Sequence, residues 1–159
     1  TQQAYEVWKN FYALWPEFRR WHEQEEQLVT TRGYAQSPLG RVRRLPFVDQ
    51  MGELARHEFV NSGINMPIQN TASDITQTAM VLLNKQFEGR ADVKIVGNIH
   101  DALLFEVRRD NLEEVAWLTK FTMEHAPDVL QGLGLVLPPG LIPVELSAGP
   151  WGEGKELVV

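Results

Sequence analysis

Cysteine is absent from the 159-residue chain, which rules out a disulfide frame and any thiolate zinc site and suits a reducing interior. No apolar run is long enough to span a bilayer and the N-terminus carries no signal-peptide pattern, so the expectation is a soluble, cytoplasmic protein with no membrane partner. Positive charge is in short supply too. The formal net charge is −6, which argues against general gripping of polyanions, because phosphate contacts are made by Lys and Arg. Internal repeats and low-complexity tracts are also missing, and the length suits one domain with a core of its own.

The basic residues that are present cluster. Arg32, Arg41, Arg43 and Arg44 fall between Arg32 and Pro46 with no acid among them, whereas acids gather at Glu23, Glu25 and Glu26 and in the tail at Glu153 and Glu156. Gly33, Pro38 and Gly40 punctuate the basic stretch, which reads as a turn-rich loop with a positive face.

Before that loop, Tyr5, Trp8, Tyr12 and Trp15 recur at helical spacing, and Pro16 can start a second helix carrying Phe18, Trp21 and Leu28. The pattern predicts a helix pair or a kinked helix, its aromatics read as core packing in preference to stacking on bases. After the loop, Met51, Leu54, Ala55 and Phe59 predict a helix from about Gln50 to Ser62 that stops at Gly63. A second helix is expected from Pro67 to about Phe87, with Ala72, Ile75, Ala79, Leu82 and Leu83 as its buried stripe. Asn65 and Gln69 stand four residues apart near its start, where two amides can cap the helix or read acceptors on base edges.

Val93 to Val107 comprises two short β-forming runs around His100-Asp101, a hairpin with an acid at its tip. On turn chemistry alone Gly97-Asn98 is the better turn, since Gly accepts the positive φ that tight hairpins need. His100-Asp101 is a poor turn of the kind kept where a site gains from it. Beyond the hairpin, Asp110 reads as the N-cap of a helix carrying Leu112, Val115, Leu118 and Thr122 to about His125. Pro127, Pro138, Pro139 and Gly140 mark a loop-rich return, and Ile142 to Leu146 is expected as a final strand.

Four of these blocks, in this order, resemble the family A DNA polymerases, the bacterial polymerase I and bacteriophage group. Gly33-Tyr34 and Leu39-Gly40-Arg41-x-Arg43-Arg44-Leu45-Pro46 are similar to a family loop, with Ser37 where Thr is usual and Val42 in place of the middle Arg. Asn65-x-Pro67-Ile68-Gln69-x-Thr71-Ala72-x-Asp74 resembles a palm helix facing the primer-template minor groove, with Asn70 for the usual Gly and Asn61 where many members have Arg. His100-Asp101 resembles motif C, whose Asp binds catalytic metal, although Ala102 replaces the common Glu. Pro143-Val144 and Gly149-x-Trp151 are similar to the closing strand of the palm.

The resemblance implies an α+β fold, an antiparallel palm sheet with a catalytic hairpin packed against helices, with residues 1–31 as the helical segment leaving the fingers and the whole of 1–159 as the C-terminal palm portion. It implies template-directed nucleotidyl transfer with Asp101 as a metal ligand, His100 at the primer end, and Arg41, Arg43, Asn65, Gln69 and His100 as DNA contacts. Two Mg²⁺ ions need a pair of fixed carboxylates, and the family's other aspartate motif, Asp-x-Ser-x-x-Glu, does not occur in the sequence; nor does the fingers helix that grips the triphosphate. Asp49, Asp74 and Glu106 are the nearest substitutes by type, Asp74 being read as helix surface or a palm hydrogen bond. The leading expectation is therefore a fragment or subunit of a split DNA polymerase, inactive alone. An N-terminal polymerase chain would bring the missing motif, fingers helix and thumb, with primer-template DNA and deoxynucleoside triphosphates as the other partners. One alternative is a non-catalytic duplex-binding palm remnant. Another is a His-Asp metal-dependent phosphohydrolase using His57, His100, Asp101 and Asp128, which the β-forming flanks of His100-Asp101 disfavour.

Overall fold

The computed structural model describes residues 2–138, 140–150 and 153–159, and for Asp49 the backbone alone. The chain divides into two compact units, Thr1–Asn70 and Thr71–Val159, and one long helix contributes residues to both.

In the first unit, α1 (Gln2–Leu14) and α2 (Pro16–Arg32) are separated at Trp15, with Pro16 in the first turn of α2 where its missing N–H is harmless. α2 ends at Gly33, whose φ of 68° lets its N–H reach the Val29 carbonyl at 3.0 Å. The short strands β1 (Tyr34–Gln36) and β2 (Val42–Arg44) then pair antiparallel, Ala35 opposite Arg43. Val29, Ala35, Leu45, Val48, Val60, Ile64 and Met66 form the core, with Trp21 and Phe59 packed against it. The expectation that the N-terminal aromatics are core is met by Trp21 alone, with Tyr12 half-buried. α1 buries no residue, and Tyr5, Trp8, Phe11, Trp15 and Phe18 are all exposed. Tyr5, Trp8, Phe11 and Phe18 contact neighbouring rings instead, as in the edge-on pairs Trp8–Tyr12 at 4.9 Å and Phe11–Phe18 at 5.5 Å.

The two helices expected around Gly63 and Pro67 are one, α3 (Glu53–Gln86), with both residues inside it. Gly and Pro disfavour a helix interior by about 1 and about 3 kcal/mol, yet Gly63 and Pro67 are themselves buried, alongside the core residues Val60, Ile64 and Met66. Gly63 is a packing glycine, not a helix stop. A Cβ there would lie 2.6 Å from Leu45 Cδ1 and 3.1 Å from Val29 Cγ1, so only a residue without a side chain lets α3 approach α2 and the end of β2.

In the second unit, β3 (Val93–Ile99) and β4 (Ala102–Val107) form the expected hairpin, and α4 runs from Leu112 to Gln131. Leu83, Phe87, Val93 and Val115 are the buried centre, joined by Ile95, Leu103, Phe105 and Val107 from the hairpin. Phe87 meets Phe105 edge-on at 6.2 Å. Asp110 does not cap α4. A 3-10 turn, Arg109–Asn111, precedes it, and Asn111 sits at the cap position without a capping bond because its amide is drawn to Asp92 Oδ2 at 2.8 Å. Pro127, expected in a loop, is a buried residue of α4. Residues 142–146 are not a strand; the last pairing is β5 (Ser147–Ala148) with β6 (Lys155–Glu156), while Pro139 and Trp151 lie outside the described residues.

The fold is α+β, as expected, with antiparallel strands and abundant helix. Among the described residues the pairing consists of three two-stranded ribbons. No helix among them is long and apolar enough to cross a membrane.

Candidate functional site

In the second unit the hairpin closes through His100 and Asp101, with Ile99 paired to Ala102. Gly97-Asn98, the better turn by composition, lies within β3 opposite Leu104 and Leu103. The register slips by one residue between Ile95 and Gly97, and such a bulge exchanges the faces that later residues occupy. Ile99 is consequently left 51% exposed near the tip. His100 adopts a φ of 58°, a left-handed conformation that costs a non-glycine residue about 1 kcal/mol. The strain is local, and its result is that His100, Asp101 and Ala102 all project at an exposed tip.

The base of the same hairpin is fixed by a network that sequence reasoning missed. Arg90 donates to both oxygens of Asp92, at 3.1 and 2.6 Å, and to Glu114 at 2.7 Å, while Asn111 adds a second donor to Asp92. The Arg108 N–H donates to the Asp92 carbonyl at 2.9 Å. Hydrogen bonds from Arg90 and then Asn111 hold the Asp92 carboxyl well below the usual carboxylate range, and Asp92 followed by Glu114 push Arg90 upward. The partners are up to 24 residues apart, so no local spacing announces them.

In the first unit the basic loop is a tight turn. Ser37 is buried; its Oγ accepts the Arg41 N–H at 3.1 Å, and its N–H donates to the Arg41 carbonyl at 2.9 Å. The Ser37 hydroxyl thus fixes the turn, helped by Gly40 at a φ of 85°. Arg41, Arg43 and Arg44 are exposed, but strand alternation puts Arg43 on one face of β2 and Val42 with Arg44 on the other. Four residues of α3 one turn apart, His57, Asn61, Asn65 and Gln69, are all exposed. Asn61 Nδ2 lies 3.0 Å from His57 Nε2. Asn65 and Gln69 therefore share an outward polar stripe, and its four-residue repeat was the signal that could have added His57 and Asn61 to it.

The substitute carboxylates differ in placement. Asp74 is buried within α3 and not on its surface. Glu106 is exposed on β4 opposite Lys94, away from the tip, and the side chain of Asp49 lies outside the described residues. Among the described residues no three His, Asp or Glu side chains are grouped to hold a metal ion. Of the residues named for the phosphohydrolase reading, His57 is on α3 in the first unit, and His100-Asp101 on the hairpin turn and Asp128 on α4 are in the second. Asp101, an exposed carboxylate at the tip, is suited to be one oxygen ligand of a hard cation whose other ligands come from elsewhere.

Residues 1–141 match the family model described as DNA polymerase family A. The chain is 34% identical over 146 residues to DNA polymerase I of Deinococcus radiodurans, covering 91% of this chain and 14% of that protein. It is 27% identical over 158 residues to the thermostable DNA polymerase I of Thermus aquaticus, covering 98% of this chain and 18% of the relative. It spans less than a fifth of either relative. Among solved structures it resembles the POL domain of Pol1 from M. smegmatis in complex with DNA primer-template and dNTP, with a TM-score of 0.71 and 26% identity over 79% of this chain and 22% of that one.

Proposed function

The chain belongs to DNA polymerase family A, and from that premise we propose that its 159 residues form the C-terminal palm portion of a DNA-directed DNA polymerase, with residues 1–31 as the segment leaving the fingers. The observation that carries the reading is the hairpin tip. A strained His100 at a φ of 58° and an exposed Asp101 stand where turn chemistry prefers Gly and Asn, and the base of that hairpin is locked by Arg90, Asp92 and Asn111.

In this proposal Asp101 supplies one carboxylate toward Mg²⁺, which when bound neutralises charge on the triphosphate and lowers the pKa of the primer hydroxyl. His100 lies against the primer end and holds it in line. Arg41 and Arg43 neutralise phosphates of the primer-template, and the Asn65–Gln69 stripe reads minor-groove acceptors, where shape and acceptor position are tested without regard to most of the sequence. The second carboxylate, the fingers helix and the thumb come from polypeptide outside these residues, and the chain alone is inactive. The bare aromatics of α1 support the first of these statements, since Tyr5, Trp8 and Phe11 are 62, 50 and 44% exposed and apolar surface of that extent marks a face that other protein covers.

The test uses the assembly of this chain with the remaining polymerase segments. Asp101→Asn keeps size and removes charge, so single-turnover incorporation should fall by orders of magnitude while primer-template affinity stays near normal. Gln69→Ala should instead reduce discrimination against a mismatched primer terminus. If Asp101→Asn keeps most of the rate, the tip is structural. If the assembly binds duplex and never incorporates, the chain is a non-catalytic duplex-binding palm, a reading that the exposed arginines and amide stripe would still accommodate.

A further inference from the structure

We propose that the outward face of α4 is a docking site for a basic, apolar-anchored segment of another protein: three stacked rings, Trp117, Phe121 and His125, run along a helix face lined by acids. The three residues are spaced four apart, so each ring sits one turn from the next. Trp117 and Phe121 stack at 5.3 Å and 13°, Phe121 and His125 at 4.1 Å and 24°, and His125 Nδ1 lies 2.8 Å from the Phe121 carbonyl. These contacts pre-order the side chains, which reduces the entropy lost when a partner binds.

Among the described residues the ladder belongs to neither core cluster named above. α4 buries Val115, Thr119, Thr122, Ala126 and Leu130 on its other side, while Trp117, Phe121 and Val129 remain 56, 46 and 54% exposed. Rigid aromatics on a solvent face are what binding hot spots are made of.

Charge selects the occupant. Glu113, Glu114, Glu124 and Asp128 flank the rings, and Lys120 is the single Lys or Arg of the helix. Glu114 is engaged by Arg90 and Glu124 accepts the Val144 N–H at 3.2 Å, which leaves Glu113 and Asp128, the latter accepting a long 3.5 Å bond from the neutral Gln131 amide, to meet a partner's cations. Single-stranded nucleic acid could stack on the rings but would bring phosphates against carboxylates. A second copy using the same face would set acid against acid, since a two-fold contact is self-complementary. A segment with apolar residues on one side and Lys or Arg beside them satisfies both rings and charge.

The probe is a labelled amphipathic helical peptide of Leu and Lys, titrated into the chain by fluorescence anisotropy, beside a Leu and Glu peptide and labelled oligothymidylate. The Leu and Lys peptide should bind, and binding should weaken at least about tenfold in Trp117→Ala/Phe121→Ala, as loss of hot-spot aromatics does. Glu113→Lys/Asp128→Lys, which leaves the rings in place, should weaken it comparably and remove its salt dependence. Trp8→Ala on α1 should change nothing. Because the substituted side chains face solvent, far-UV circular dichroism should match the parent chain. Peptide affinity indifferent to both α4 variants would overturn the proposal, as would equal binding of the acidic peptide. Oligothymidylate binding lost in the ring variant would assign the face to nucleic acid, and self-association lost on Phe121→Ala would assign it to a second copy.

Discussion

Replacing Gly63 by Ala opposes two effects of known size. In a helix interior Ala is favoured over Gly by about 1 kcal/mol, so at an open position the change would stabilise. Here the added methyl would fall 2.6 Å from Leu45 Cδ1 and 3.1 and 3.3 Å from the two γ-carbons of Val29. Neither neighbour has room to yield, with Val29 at 0% and Leu45 at 1% exposure, and Val is stiff about χ1. Overpacking of a filled core costs about 1–3 kcal/mol, and the shortest of these contacts belongs near the top of that range. The net expectation is a loss of about 1–2 kcal/mol, read as a lower urea midpoint at unchanged slope. The mechanism has its own signature. Leu45→Val removes the crowding methyl, so in the double variant the two losses should be less than additive by about 1 kcal/mol. A Gly63→Ala chain that is more stable than the parent, or a strictly additive cycle, would refute the packing argument and return Gly63 to the role of an ordinary helical glycine.

His100→Gly should stabilise the isolated hairpin unit by up to about 1 kcal/mol by relieving the strain at a φ of 58°, while weakening the hold on the primer terminus in the assembled polymerase; denaturation and primer-end affinity measured on one preparation check both. Asp92→Asn should flatten the acid limb of the stability profile. The native carboxyl lies well below its ordinary value, so its contribution is complete above about pH 4, the unfolded value, and drains as pH falls toward the native one; urea midpoints from pH 7 down to pH 2 test this, and an unchanged acid limb would disprove it. Arg41→Ala/Arg43→Ala should weaken primer-template binding and make the slope of log affinity against log salt shallower by up to about 2, whereas unchanged affinity and slope would mean that the loop is ordinary surface.

The sequence alone determined the elements whose causes are local. The α1–α2 break at Trp15-Pro16, the existence of the hairpin and the four-apart pair Asn65 and Gln69 follow from spacing and turn chemistry. Family membership was legible for a similar reason, because Gly40-Arg41, Asn65 to Gln69 and His100-Asp101 are short strings in a fixed order. Tertiary structure decided the rest. Gly63 and Pro67 carry strong local stop signals, yet α3 runs through both: Gly63 packs against Val29 and Leu45 and Pro67 is buried, so tertiary burial outweighs propensity. His100-Asp101 takes the turn in place of Gly97-Asn98 because pairing of Ile99 with Ala102, a slipped register and a core of Ile95, Leu103 and Phe105 set the hairpin's length. Asn111 abandons capping for Asp92 because that carboxylate arrives from 19 residues away. The N-terminal aromatics and the α4 ladder share the periodicity of buried stripes but are exposed, since periodicity tells which residues share a face and not what that face meets.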